Sequence, residues 1–364
     1  MEPSIGEIIM KTRQYPFNLI ADYIYEYYKL TEDTPFEILE IDAKDLIIPE
    51  RIDLTVKYYF IQCRETGDNL AFAEELYTKH IEAFTDGMYL EFGNKEKNSI
   101  QKYIDTFCNL MDDMKQNGFH PEISLIPVGK ENVLLDGAHR AAIAAYFGQK
   151  VKVIRFQHLS VCFNHKYFRK HLLEEKYIEF MVKEYCKLKQ NTYMVFLWPR
   201  AYKYRAIVMN RLGQNGSKFI YSNKVKIPFE QFFPLVYQIY QREPWVGNEQ
   251  NHYRGALKKA QLCYEKEGRM KIFVIEGIAP SQISQVKADI RKELGLKKNS
   301  LHITDKKEET LEALDIIMSI GKSKDINGRL IANDINKTLA MKKRLRNIYA
   351  RCILSIKKRL GIPV

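Results

Sequence analysis

The stretch ISLIPVGKENVLLDGAHRAAIAAYFGQKVKVIRF, residues 123–156, carries the reading of the fold. ISLIPV (123–128) and NVLLD (132–136) are apolar runs on either side of Gly129-Lys130, which predicts two strands joined by a turn. HRAAIAAYFG (139–148) reads as a short Ala-rich helix closed by Gly148, and KVKVIRF (150–156) as a returning strand. Strand, turn, strand, turn, helix and strand follow one another within 34 residues. That order predicts a mixed α+β unit.

The second turn carries chemistry. An apolar strand ends in Asp136-Gly137, and a helix opens at once through Ala138 with His139 and Arg140 in its first turn. Unpaired N–H groups and the positive end of the helix dipole then meet there. Gly137 permits a left-handed turn and close approach of a ligand, while His139 and Arg140 add donors suited to phosphate oxygens. The same residues also read as an ordinary N-cap, a turn glycine and two surface side chains. A cation at a helix N-terminus opposes the dipole, which favours an anionic ligand.

Residues 124–156 resemble the core of the ParB/sulfiredoxin superfamily, in which a strand leads into a Gly-x-His-Arg or Gly-Glu-Arg-Arg turn and a short helix. The resemblance covers about residues 40–158. In sulfiredoxins a reactive cysteine precedes His-Arg; Ala138 stands there, which argues against reduction of a sulfinic acid. Partition proteins of the superfamily use Glu-Arg-Arg and a following helix-turn-helix, and neither pattern is found in this chain. Asp136-Gly137-Ala138-His139-Arg140 is most similar to the Asp-Gly-His-His-Arg turn of the free-serine kinases, from which it differs at one position.

That resemblance implies a kinase using ATP and Mg²⁺. Asp136 becomes a metal or catalytic carboxylate, and Gly137, Ala138, His139 and Arg140 bind nucleotide phosphates. The stretch Pro49-Glu50-Arg51-Ile52-Asp53 supplies Glu50 or Asp53 as the base, with Arg51 holding an anionic group. Both acids read equally as the polar start of a helix. Phosphoryl transfer needs alignment, charge neutralisation and a carboxylate near the attacking hydroxyl, which these residue types provide.

Outward from this core, Ser4 with Glu7 has the form of a capping box for a helix over residues 4–30, broken near Pro16. DLIIPE (45–50) predicts a short buried strand, and helices follow over 53–64, 70–84 and 100–116, with GNKEKNS (93–99) as a loop. A helical linker spans 161–190, and a second α/β domain spans 191–325: strands at 192–199, 218–227, 271–276 and 300–304 alternate with helices from 200 to about 212 and at 229–240, 254–267, 281–294 and 306–319. Residues 1–40 form an N-terminal helical segment, 41–160 the nucleotide-binding domain and 335–364 a tail. No internal repeat relates the two halves.

A possible second site involves His302, Asp305 at a strand-to-helix turn, and Lys258 on the helix after the polar loop 244–253. Asp305 with Glu308 also fits a capping box, and Lys258 a solvated face. This region resembles segments of proteins from bacterial surface-polysaccharide loci.

The chain of 364 residues carries a net charge of +12, of which nine positive charges and no negative one lie from Lys337 onward, so the remainder carries 12 − 9 = +3. In the tail, Leu345, Ile348, Cys352, Ile356 and Leu360 form one helical stripe among Lys and Arg. Such a helix suits an anionic membrane surface, and secondarily nucleic acid or an acidic partner. No apolar run reaches the roughly 18 to 20 residues of a spanning helix, and the N-terminus lacks signal-peptide order. These features predict a cytoplasmic protein held peripherally on the inner membrane face. The six cysteines are scattered without zinc-ligand spacing, which predicts free thiols.

The expected activity is therefore an Mg²⁺- and ATP-dependent kinase acting on a hydroxyl of a sugar or lipid-linked glycan. The competing readings are a ParB-like nucleotide-switched DNA-binding protein or nuclease, and a transferase second domain with a nucleotide-sensing first one.

Overall fold

The computed structural model describes residues 15–91, 97–320 and 351. The capping box at Ser4, part of the 93–99 loop and the stripe over 337–360 lie outside the described residues. Two compact units divide between Cys162 and Phe163. Both mix helices with β-sheet, as the alternation of patterns predicts.

In the first unit the order is α1 (Asp22–Tyr27), β1 (Glu37–Asp42), α2 (Asp53–Thr66), α3 (Leu70–Phe84), α4 (Ile100–Asn117), β2 (Ile126–Val128), α5 (Ala138–Tyr146) and β3 (Lys150–Arg155). The sheet runs β1-β3-β2. β2 and β3 are parallel and joined through α5, while β1 pairs antiparallel with β3. Ala141 to Ala145, Ile143 included, are buried, and these mostly small side chains let α5 approach α2 and α4 closely. On the sheet, Leu125, Val133, Leu135, Ile154 and Phe156 pack with Phe17, Ile20, Ile24 and Leu30.

Three local expectations are corrected. The run DLIIPE is not a strand but two single 3₁₀ turns, Ala43–Leu46 and Pro49–Arg51, within which Leu46 and Pro49 are buried. The Asp42 carboxylate accepts from the Lys44 backbone N–H, and Pro49, lacking an N–H, opens the second turn. NVLLD makes only a bridge between Leu134 and Val128, because left-handed Glu131 and Asn132 use up the segment in a tight turn. The helix expected across 4–30 is, in its described part, the short α1 preceded by a 3₁₀ turn over Phe17–Leu19.

β1 was not foreseen. Its sequence EILEID is acid-rich and half exposed, yet it lies opposite the basic positions of β3: Glu37 faces Arg155, Glu40 faces Lys152 and Asp42 faces Lys150. Opposite charges across an antiparallel pair favour this register, an effect that only the partner strand supplies.

The second unit comprises α6 (His165–Lys170), α7 (Glu175–Leu188), β4 (Thr192–Leu197), α8 (Arg205–Gln214), β5 (Lys218–Lys226), α9 (Phe229–Tyr240), α10 (Arg254–Cys263), β6 (Arg269–Glu276), α11 (Pro280–Glu293), β7 (Leu301–Ile303) and α12 (Lys307–Ile320). Its sheet runs β5-β6-β4-β7 with every pairing antiparallel. α6 and α7, within the stretch read as a linker, belong to this unit, where α7 packs on α12. One sheet face carries Tyr193, Val195, Leu197, Phe273 and Ile275 against Val208, Leu212, Ile283 and Ile290. α10 ends at Cys263, short of 267, because Tyr264 turns extended and its hydroxyl donates to the Ile227 carbonyl at 3.1 Å.

No helix among the described residues is long and apolar enough to cross a membrane. Cys63, Cys108, Cys162, Cys186 and Cys263 are free thiols.

Candidate functional site

The 136–140 turn is assembled on β2. Gly129 donates to the Val133 carbonyl at 2.8 Å, and Leu135 donates to the Pro127 carbonyl at 3.0 Å, so the returning segment is pinned before α5 begins. A Cβ on Gly129 would stand 2.2 Å from the Leu159 carbonyl oxygen; only glycine fits. Gly137 then turns left-handed at φ 81°, and no side chain caps α5 behind it. The first N–H groups of α5 are left for a ligand or solvent.

Arg140 folds back over this turn. Its Nη2 lies 3.7 Å from the Asp136 carboxylate, its Nη1 donates to the Ser124 hydroxyl, and a Cβ on Gly137 would stand 2.8 Å from Nη2. Asp136 keeps 26% of its side chain exposed and Arg140 21%. Both therefore remain within reach of a ligand while their geometry is held.

His139 points elsewhere. Its Nε2 lies 2.8 Å from the Tyr77 hydroxyl, and its ring meets Phe107 edge-on at 4.5 Å between centroids. Burial, with Lys57 and Lys97 nearby, pushes the imidazole well below its ordinary range. A neutral ring engaged inward supplies no cation to the turn, so Arg140 is the cation there.

Beneath the turn, Arg51 clamps Asp53 with two hydrogen bonds of 2.8 Å, Lys57 adds a third at 3.2 Å, and Arg51 Nη1 also donates to the Leu134 carbonyl. All three side chains are buried. Burial alone would push the Asp53 carboxyl up, but Arg51 and Lys57 outweigh it and hold it well below the usual carboxylate range. This carboxylate is saturated and enclosed, and Arg51 is spent on it. The pair joins the Pro49–Arg51 turn to the strand end before Asp136.

Glu50 is different. Its Oε2 is buried and accepts no hydrogen bond. A carboxylate oxygen withdrawn from water without a donor is costly, which leaves a place for a donor from a ligand.

Several residues around the turn had escaped the sequence reading. Tyr23 bonds to Asp136 through its hydroxyl, and burial, reinforced by Asp136 and Glu91, pushes that phenol far up. Tyr28, pushed up to about 12 by burial first and Tyr27 second, lies between the fields of Arg51 and Asp136. Lys97, nearly enclosed, pairs with Glu91 at 2.7 Å and stands 5.3 Å from the centre of the Tyr103 ring. The tyrosines look like apolar helix positions in sequence, and Lys97 looks like a loop charge.

Among the described residues no group of three or more His, Cys, Asp or Glu side chains forms a metal cage. Mg²⁺ with a nucleotide needs less, because it keeps several waters and takes one or two carboxylates plus phosphate oxygens. Asp136, part-exposed, meets the carboxylate part of that smaller requirement, while the uncapped N–H groups suit the phosphate oxygens.

In the second unit His302 lies on β7, with Tyr240 5.0 Å and Phe196 6.2 Å away between ring centroids. Burial first, then Lys287, Arg291 and Lys259, pushes it down to about 3. Asp305 pairs with Lys287 at 2.5 Å, and its backbone N–H donates to Glu309, not Glu308, at 2.9 Å. Lys258 is exposed, and it is its neighbour Lys259, held on the Lys298 carbonyl at 2.5 Å, that acts on His302. These three residues thus have separate engagements and do not converge as the 136–140 turn does.

No protein-family model matches the chain, and no curated protein matches it significantly.

Proposed function

We propose that the first unit is a ParB/sulfiredoxin-like nucleotide-binding domain that transfers a phosphoryl group from ATP to a hydroxyl. The observation that carries the reading is Glu50, whose buried Oε2 lacks a donor on a turn tied through Arg51 to the strand end before Asp136. Asp53 cannot serve as the base, because three donors hold its charged form. Glu50 accepts the proton of the attacking hydroxyl, Arg140 and the α5 N–H groups hold phosphate oxygens, and Asp136 orients the acceptor or carries the metal. Mg²⁺ bound with ATP would neutralise charge on the phosphates. The acceptor is a sugar or lipid-linked glycan hydroxyl of bacterial surface polysaccharide, reached by a cytoplasmic protein whose basic tail attaches to the inner membrane face.

Purified protein incubated with γ-labelled ATP, Mg²⁺ and a panel of serine, sugars and membrane-extracted glycans tests this. Label transfer to one acceptor, abolished by Arg140→Ala and by Glu50→Gln, is the expected result. Transfer that survives both substitutions, or no ATP binding by the wild type, would overturn it.

A further inference from the structure

On one face of the second unit's sheet, Lys224 on β5 stands directly opposite Lys271 on β6, and two residues along Lys226 stands opposite Arg269. Directly opposed side chains in an antiparallel pair have Cβ atoms roughly 4.5 to 5.5 Å apart, and like charges at that spacing are destabilising. Two such pairs in succession put four cations in a square. Arg269 is relieved by Glu267, but among the described residues no carboxylate pairs with Lys224, Lys226 or Lys271.

A third element brings more positive charge to the same place. Tyr202, in the 3₁₀ turn over Pro199–Tyr204, has Arg205 5.0 Å, Arg269 5.5 Å and Lys224 5.9 Å from its ring centre. Arg205, likewise without a carboxylate, is the first residue of α8, where a cation opposes the helix dipole. Lys271 is half-buried among these groups. Burial, with Arg169, Lys166, Arg205 and Lys224 around it, pushes its ammonium below the usual lysine range. Repulsion of this kind is relieved when an anion binds, and guanidinium and ammonium groups together suit phosphate oxygens.

We propose that the ledge formed by Tyr202, Arg205, Lys224, Lys226, Arg269 and Lys271 is a binding site for a diphosphate group. Lys224, Lys226, Lys271 and Arg205 give four positive charges without a carboxylate in one locality, which match the two to three negative charges of a diphosphate better than the single charge of a carboxylate. A nucleoside diphosphate ester and a lipid-linked diphosphate share this chemistry. The ledge belongs to the second unit alone.

The test is calorimetric titration of the full chain with inorganic pyrophosphate at constant ionic strength, for the wild type, Lys224→Gln, Lys271→Gln and, as a control for the first unit, each of these with Arg140→Ala. A lysine-dependent binding step, weakened tenfold or more by either lysine substitution both with and without Arg140→Ala, is expected, since Arg140→Ala removes only the phosphate contact proposed for the first unit. The ligand-free Tm of the lysine variants should be unchanged or higher, since a like-charge contact has been removed. Pyrophosphate affinity that is undetectable in the wild type, or equal in wild type and lysine variants, would overturn the proposal. ADP and vesicles containing a polyprenyl diphosphate then separate the sources. Lysine-dependent gain over pyrophosphate with ADP assigns a nucleotide, and with the vesicles a lipid, whereas acetate competing as well as pyrophosphate refutes diphosphate recognition.

Discussion

The imidazole of His139 and the phenol of Tyr77 meet at 2.8 Å, on the side of the turn that faces Phe107 and the buried Arg51–Asp53–Lys57 group. His139 thereby supports the start of α5 from inside. Desolvation, with Lys57 and Lys97 nearby, favours its neutral form, so it is expected to carry no charge across the physiological range. NMR of selectively labelled histidine should show no titration of His139 between pH 8 and 5. An inflection near the ordinary histidine value would mean the ring is solvated and free to contact phosphate.

Gly137→Ala is expected to weaken ATP binding more than it weakens the fold. Its Cβ would meet the far end of the Arg140 side chain, which can yield, so the folding cost is set mainly by the left-handed backbone, about 1 to 3 kcal/mol. The displaced guanidinium is the part that binds. Parallel urea unfolding and ATP titration distinguish the two; equal affinity in wild type and variant would count against Arg140 as a phosphate ligand.

Asp53→Ala and Glu50→Gln should have opposite signatures. Removing Asp53 strands two buried cations, a loss of about 3 to 5 kcal/mol when one partner of a buried pair goes. Glu50→Gln keeps the side chain's shape while replacing a carboxyl group whose enclosed Oε2 lacks a donor, and should leave stability unchanged or raised, while lowering phosphoryl transfer by roughly 10² to 10⁴-fold as for loss of a general base. Chemical denaturation with single-turnover kinetics reads both. A folded, fully active Glu50→Gln would remove Glu50 from the mechanism.

In the second unit, burial pushes His165 down to about 4 and His302 down to about 3. A histidine depressed in the folded state contributes stability that is present above the unfolded value near 6.5 and is lost as pH falls through the folded one. Stability of this unit should decline from about pH 6.5 toward pH 4 and below. His302→Asn should flatten that decline, measured as the difference in urea midpoint between wild type and variant from pH 7.5 to 4.5. Parallel curves would show that His302 is not buried neutral.

Several elements could be read locally. α2, α3, α4, α5 and α9 follow from apolar spacing, α4 and α5 also from their stops at Asn117-Gly118 and Gly148, and β3, β4, β5 and β6 from apolar or alternating runs. The Asp136–Arg140 turn was visible because glycine, a strand end and a helix start have local signatures. β1 was not, since EILEID becomes a strand through charges on β3, and 45–50 misled because buried apolar residues look alike in a strand and in a 3₁₀ turn.

The sequence by itself determined where the backbone must turn and where helix N–H groups are left open, because those depend on neighbours along the chain. Tertiary structure decided which side chains remain available at that turn. It enclosed Asp53 between Arg51 and Lys57, turned His139 onto Tyr77, left Arg140 over Gly137 and left one oxygen of Glu50 without a donor. Pairing and desolvation act between residues distant in sequence, so the chemistry of a carboxylate or an imidazole is set only when its partners arrive.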